Sequence, residues 1–141
     1  MEKNSEITNA IQKYIAESQN DGSIVAIYLF GSFLRGETEK GSDVDLAFLL
    51  DEKAYRSDPV MTMSPAHLIA AEVGMGFNIE TDVTILNSAS LEIAYEVITS
   101  GRCVYESDLD LRLEYEIKIK GMYFDFRPFL DDLRARRLAQ I

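Results

Sequence analysis

Basic residues, histidine, cysteine and long apolar runs are all scarce in this chain, and each scarcity closes off a class of function. The sequence sets 14 Lys and Arg against 24 Asp and Glu, a net charge of −10. A field of that sign repels phosphate backbones, so direct binding to nucleic acid is not expected, whereas a basic protein partner would be attracted. It also leaves local cation sites, rather than a basic cleft, as the means of holding an anionic substrate. The single histidine, His67, has no second His or Cys at ligand spacing, which argues against zinc. The lone Cys103 cannot close an internal disulfide and sits in the short apolar run RCVYE, the setting of a buried, inert thiol in a reducing cytoplasm. No apolar stretch approaches the ~20 residues needed to span a bilayer. The opening MEKNSEITNA has neither a hydrophobic leader core nor a cleavage pattern, so no signal peptide is expected.

What is present fits one globular domain. A chain of 141 residues buries about 68% of its unfolded surface around a single core. Its apolar and charged contents, 47% and 27%, are ordinary for such a domain. No repeat, low-complexity segment or second boundary interrupts it, and the expected organisation is a single domain over 1–141 with 107–141 as a C-terminal helical extension.

The informative stretch is residues 24–50, IVAIYLFGSFLRGETEKGSDVDLAFLL. Ile24 to Phe30 is a β-branched and aromatic run bounded by Asp21-Gly22 and Gly31, which predicts a buried strand. Gly31 frees the backbone to turn, and Ser32 is placed to cap a short helix at Phe33 to Arg35. A helix start there aims N–H groups and partial positive charge at the space above the strand end, which suits a phosphate, and the absent side chain of Gly31 lets it approach. Ten residues after Ser32, Asp43-Val44-Asp45 opens a second apolar run. In a strand, Asp43 and Asp45 share one face with Cα atoms roughly 6.5 Å apart, while Val44, Leu46, Phe48 and Leu50 share the other. Two carboxylates on one face repel without metal and can share hard cations, the form in which triphosphates are bound. An ordinary hairpin would also accept Gly-Ser, a polar loop and an Asp-rich strand start. The four fixed positions, however, match by chance only on the order of 10⁻³ times in such a chain.

GSFLRGETEKGSDVDLAFLL resembles the signature of the nucleotidyltransferase superfamily that includes DNA polymerase beta, and more closely its minimal bacterial members, the MNT domains. A later acidic strand at Glu80 to Leu86 and a closing YFDFRP at Tyr123 to Pro128 extend the resemblance over most of the chain. It implies an α+β nucleotidyltransferase fold, a small mixed sheet with helices packed mainly on one face. It implies ATP as substrate, two Mg²⁺ ions held by Asp43, Asp45 and a third carboxylate, and phosphate contacts from Gly31 and Ser32. The third carboxylate is matched best by Asp82, with Glu80 on the same strand face as the alternative. Arg35 matches the family's RG step and is a further phosphate contact, an ion pair with Asp or Glu being the other reading. MNT proteins are typically paired with a HEPN-domain ribonuclease as antitoxin and toxin. The resemblance therefore implies AMP transfer to a hydroxyl of that partner, a tyrosine being the expected acceptor. A non-catalytic mask of the toxin and a small-molecule, antibiotic-type enzyme are the alternatives; the last would need an acceptor pocket for which no segment is evident.

Elsewhere, Ile7, Ala10, Ile11, Tyr14 and Ile15 predict an amphipathic helix over 5–18. Asp51 to Met63 lacks periodicity and reads as a mobile loop, long enough to be a lid and equally well a disordered connection of no function. Ser64-Pro65 reads as a helix start running to Gly74 or Gly76, and Asn78 to Leu86 as an alternating strand. Ser88 is placed to cap a helix that ends at Gly101, and Arg102 to Tyr105 reads as a strand. A long helix follows from Ser107-Asp108, which Pro128 should break or kink. Leu113, Ile117, Tyr123, Phe124, Phe126, Phe129, Leu130 and Leu133 supply more apolar surface than a lone helix needs, part of it to pack on the core and the rest for a partner groove. Arg134, Arg136 and Arg137 complement the dipole of a helix C-terminus, a nucleic-acid patch being the other reading.

Overall fold

The computed structural model describes residues 2–18, 20–31 and 43–139. Its elements run α1 (Glu2–Ser18), β1 (Ile24–Phe30), β2 (Val44–Leu50), α2 (Glu52–Ser57), α3 (Pro59–Phe77), β3 (Thr81–Ile85), α4 (Leu91–Ser100), β4 (Arg102–Glu106) and α5 (Leu109–Ala139). The four strands form one mixed sheet in the order β3-β2-β1-β4, with β1 antiparallel to β2 and β4, and β2 parallel to β3.

The central strands are apolar in almost every position, and both faces of the sheet are accordingly covered. Ile27 and Leu29 of β1 and Leu46, Phe48 and Leu50 of β2 pack with Ile7 and Ile11 of α1 and Ile69 and Val73 of α3. On the other face Tyr28, Ala47 and Leu49 meet Ala94, Val97 and Ile98 of α4 and Ile119 of α5. The expectation of helices mainly on one face is thus corrected: α4 and the first half of α5 cover the second. The α+β class, the small mixed sheet and the C-terminal helix stand.

Other boundaries also move. The expected loop after Asp51 is helical: Asp51 caps α2 and Asp58 caps α3, with Pro59 at its first position. The Thr62 hydroxyl ties the two helices by donating to the carbonyls of Ala54 (2.9 Å) and Asp58 (2.7 Å). Pro65, read as a helix start, therefore lies inside α3. The cap of α4 is Ser90 rather than Ser88; the Ser88 hydroxyl instead donates to the Ile85 carbonyl in the preceding turn. The helix α5 begins after Asp108, which accepts from Leu111 N–H, and runs uninterrupted through Pro128. Pro128 lies where α5 is exposed, so the carbonyl one turn earlier, left without its N–H, can turn to water.

A polar latch holds α5 to the sheet. The buried Tyr28 hydroxyl donates to Glu116 Oε2 at 2.8 Å, and Arg112 pairs with both Glu116 and Glu106. Burial first, and then the neighbouring Glu116, push the Tyr28 hydroxyl pKa well above the ordinary tyrosine value. Among the described residues no helix is long and apolar enough to cross a membrane.

Candidate active site

The β1 strand ends at Phe30, whose register partner is Asp45 on β2. The next residue, Gly31, turns with φ +86°, a conformation that side chains disfavour. A Cβ built on Gly31 would lie 2.1 Å from Asp45 Oδ2. The missing side chain thus first makes room for a carboxylate, a use that the sequence, read as leaving room for phosphate, did not suggest.

Asp45 also faces Asp82, its register partner on the parallel strand β3. What sets Asp82 there is the turn after α3. Asn78 takes a left-handed conformation (φ 53°), Ile79 N–H donates back to the Gly74 carbonyl, and the Thr81 hydroxyl donates to the Ala70 carbonyl. A side chain at Gly74 would press on the Ile79 carbonyl at 3.0 Å. Glu80, the alternative third carboxylate, precedes the first paired residue of β3 and contributes its carbonyl, which accepts from Val44 N–H.

These placements give Asp45 an acidic surrounding. Its carboxyl is held above the ordinary carboxylate range, chiefly by burial, then by the charges of Asp82 and Asp43, by a carboxyl–carboxyl hydrogen bond with Asp82, and by the charge of Glu96. Glu96 was not among the residues singled out from sequence. It lies on α4, which Gly101 lets settle against the last residues of β1; a Cβ there would meet the Val97 carbonyl at 2.4 Å and Phe30 Cβ at 3.2 Å. Spacing carries no signal for that influence, because it acts through charge between segments distant in sequence.

Asp45 and Asp82 are thus register partners, Asp43, half-buried just ahead of β2, acts on Asp45 through its charge, and Gly31 lies against Asp45. Ser32, Arg35 and the short helix expected at Phe33 to Arg35 lie outside the described residues. Among the described residues no group of three His, Cys, Asp or Glu side chains is disposed to enclose a metal ion. The donor set nonetheless fits Mg²⁺, which is held through one or two carboxylates together with substrate phosphates rather than in an all-protein cage. His67 is exposed on α3. Cys103 is half-buried on β4, its thiol donating to the Tyr105 carbonyl at 3.3 Å, and burial pushes its pKa up. Cys103, expected to be buried, is thus only partly so.

The model of the polymerase beta nucleotidyltransferase family matches residues 9–110, a span that contains Gly31 and all three carboxylates. The chain belongs to that family. A curated relative of this nucleotidyltransferase is the protein adenylyltransferase MntA of Shewanella oneidensis, 28% identical over 118 residues, which are 81% of this chain and 79% of the relative. Among solved structures, a chain in a crystal structure of a toxin–antitoxin with AMP-PNP is 25% identical, with a TM-score of 0.61 over 90% of this chain and 98% of that one. A chain from a tri-AMPylated Shewanella oneidensis HEPN toxin in complex with MNT antitoxin superposes with a TM-score of 0.58, covering 92% and 98% of the two chains. At 24% identity that second likeness is one of fold.

Proposed function

We propose that this nucleotidyltransferase transfers AMP from ATP to a tyrosine hydroxyl of a partner HEPN ribonuclease, and that the modification makes it the antitoxin of that enzyme. The observation that carries the reading is the pairing of Asp45 with Asp82 beside Gly31, in a chain 28% identical to a protein adenylyltransferase. Asp43, Asp45 and Asp82 are the residues to hold two Mg²⁺ ions, which when bound supply charge neutralisation to the triphosphate and to the attacking oxygen. Gly31 and Ser32 hold the terminal phosphates, and Arg35 adds a contact to them. Asp82, the exposed member of the carboxylate set, faces the incoming hydroxyl and accepts its proton. The acceptor oxygen bonds to the α-phosphorus as the bond from that phosphorus to the β-bridging oxygen breaks, and pyrophosphate leaves. A tyrosine hydroxyl, with a pKa of about 10, asks little of such a base. An AMP placed beside a ribonuclease site adds a phosphate and a bulky base, which repel and block an RNA backbone.

Residues 1–141 act on this reading as one domain, 107–141 being its helical extension; the family match ending at 110, where α5 has just begun, supports that division. A reducing cytoplasm, where ATP and Mg²⁺ are available, suits a chain with a single free thiol. A stoichiometric mask is the second reading, favoured by the apolar residues that α5 exposes, since these would bind a partner whether or not the site works. The test is to incubate both proteins with ATP and Mg²⁺ and weigh the ribonuclease intact. Its mass should rise by whole AMP units and its activity should fall. An unchanged mass, with inhibition persisting in Asp43→Asn, would leave only the mask.

A further inference from the structure

We infer that one face of α5 is the docking surface for an amphipathic helix of the partner ribonuclease, an inference that rests on the reading above. Met122, Phe126, Phe129 and Leu133 follow one another at intervals of four, three and four residues, which keeps them along one line of a helix. They are 38, 50, 60 and 46% exposed. Backward along the same line, Leu111 and Tyr115 lead into a cavity of about 660 Å³ bounded by α5, the end of β2 and the start of α4. From Leu111 to Leu133 the stripe is about 33 Å long, at ~1.5 Å per residue. Scattered exposed apolar residues are ordinary, but a continuous line opening into a groove is the form in which one helix receives another.

Charge indicates what covers it. Residues 109–141 hold seven basic and six acidic side chains, net +1, whereas residues 1–108 hold seven basic and 18 acidic, net −11. A second copy of this chain would bring two such acidic bodies together, so self-association across the stripe is opposed. A ribonuclease must hold an RNA backbone and carries basic surface for it, which an acidic body attracts. The nearly neutral α5 then provides the apolar grip without burying unpaired charge. Position agrees with charge. Tyr123 stacks on Tyr95 of α4, ring centroids 3.7 Å apart and planes at 4°, and Arg134 pairs with Glu92 of α4 at 2.6 Å. The stripe is therefore fastened to α4, which packs against Ala47 and Leu49 on the face of the sheet to which the alternation of β2 also assigns Asp45. A partner seated there has its acceptor hydroxyl beside the site rather than behind the sheet.

The experiment compares wild type, the double variant Phe126→Asp/Phe129→Asp and the control Ile117→Asp, whose residue is 70% exposed on another side of α5. Binding to the cognate HEPN ribonuclease is measured by calorimetry, AMP transfer by intact mass, and folding by thermal melt. The double variant should melt like wild type, bind the ribonuclease at least about thirtyfold more weakly, and keep its kcat when the partner is saturating. Ile117→Asp should bind within about twofold of wild type. If wild type transfers AMP and the double variant binds equally well, the stripe is not the docking surface and the enzymatic reading survives. If wild type binds without transfer and the double variant loses binding, the surface stands and the chemistry falls. A wild-type protein that neither binds nor modifies the ribonuclease overturns both.

Discussion

Gly31 and Asp45 are fitted to each other: the space a Cβ would need at residue 31 lies 2.1 Å from the Asp45 carboxylate oxygen. The turn that ends the first strand and the acid that begins the second cannot be changed independently.

The Gly31→Ala variant should accordingly lose nearly all nucleotidyl transfer while remaining folded. The added methyl displaces the Asp45 carboxylate, and the φ of +86° costs an L-residue about 1–2 kcal/mol. A urea melt and a turnover assay separate the two effects. Near-normal turnover in a folded Gly31→Ala protein would show that Asp45 need not hold its present position.

Asp45→Asn should abolish transfer and leave stability equal or higher. The Asp45 pKa is raised in the fold, by burial and then by Asp82 and Asp43, so the native chain holds this proton more tightly than the unfolded chain. Its stabilising contribution is therefore full below about pH 3.9 and is lost as the pH rises through the raised folded value. In chelator, wild type should lose stability relative to Asp45→Asn as the pH climbs from about 4, and Mg²⁺ should recover stability at neutral pH in wild type alone. Melting both proteins across pH checks the sign. An opposite slope, or a variant that fails to fold, removes this account of the site.

Ser32→Ala should weaken ATP use less than Asp43→Asn does. One hydroxyl hydrogen bond contributes about 0.5–1.5 kcal/mol net, and backbone N–H groups able to hold phosphate survive the change. Comparing kcat/KM of the two variants decides it; an equally dead Ser32→Ala enzyme would give the hydroxyl a further task.

The latch beneath α5 should respond unequally to its members. Tyr28→Phe removes one hydrogen bond and leaves Glu116 paired with Arg112, for a cost of about 1 kcal/mol. Arg112→Met strips Glu116 and Glu106 of their cation together, and should cost about 2–3 kcal/mol by chemical denaturation. Equal costs would mean that the arginine contributes no more than the tyrosine hydroxyl.

Local chemistry made much of this fold legible. The apolar run of Ile24 to Phe30, the alternation through Leu50 and the strand at Arg102 all identify their elements, because each pattern reports burial directly. Asp58-Pro59 carries the same helix-start chemistry as Ser64-Pro65, and what selects the earlier pair is the Thr62 hydroxyl reaching across to Ala54. No periodicity in residues 51–63 reveals that bond. In the site, strand spacing identifies Asp43 and Asp45 as one pair. The approach of Asp82 depends on a parallel register, and that of Glu96 on α4 crossing the second face, neither of which a local pattern encodes.

The parallel pairing of β2 with β3 has a kinetic consequence. Asp45 and Asp82 sit at the starts of strands that can meet only after α2 and α3 have formed and carried the chain back to the same end of the sheet. Closing so long a loop comes before its contacts stabilise anything, so this edge of the sheet is a slow step relative to the β1–β2 hairpin. A chain released from the ribosome would then possess its first strand pair before it possesses a carboxylate site, and ATP-dependent activity would appear after the first phase of refolding rather than with it.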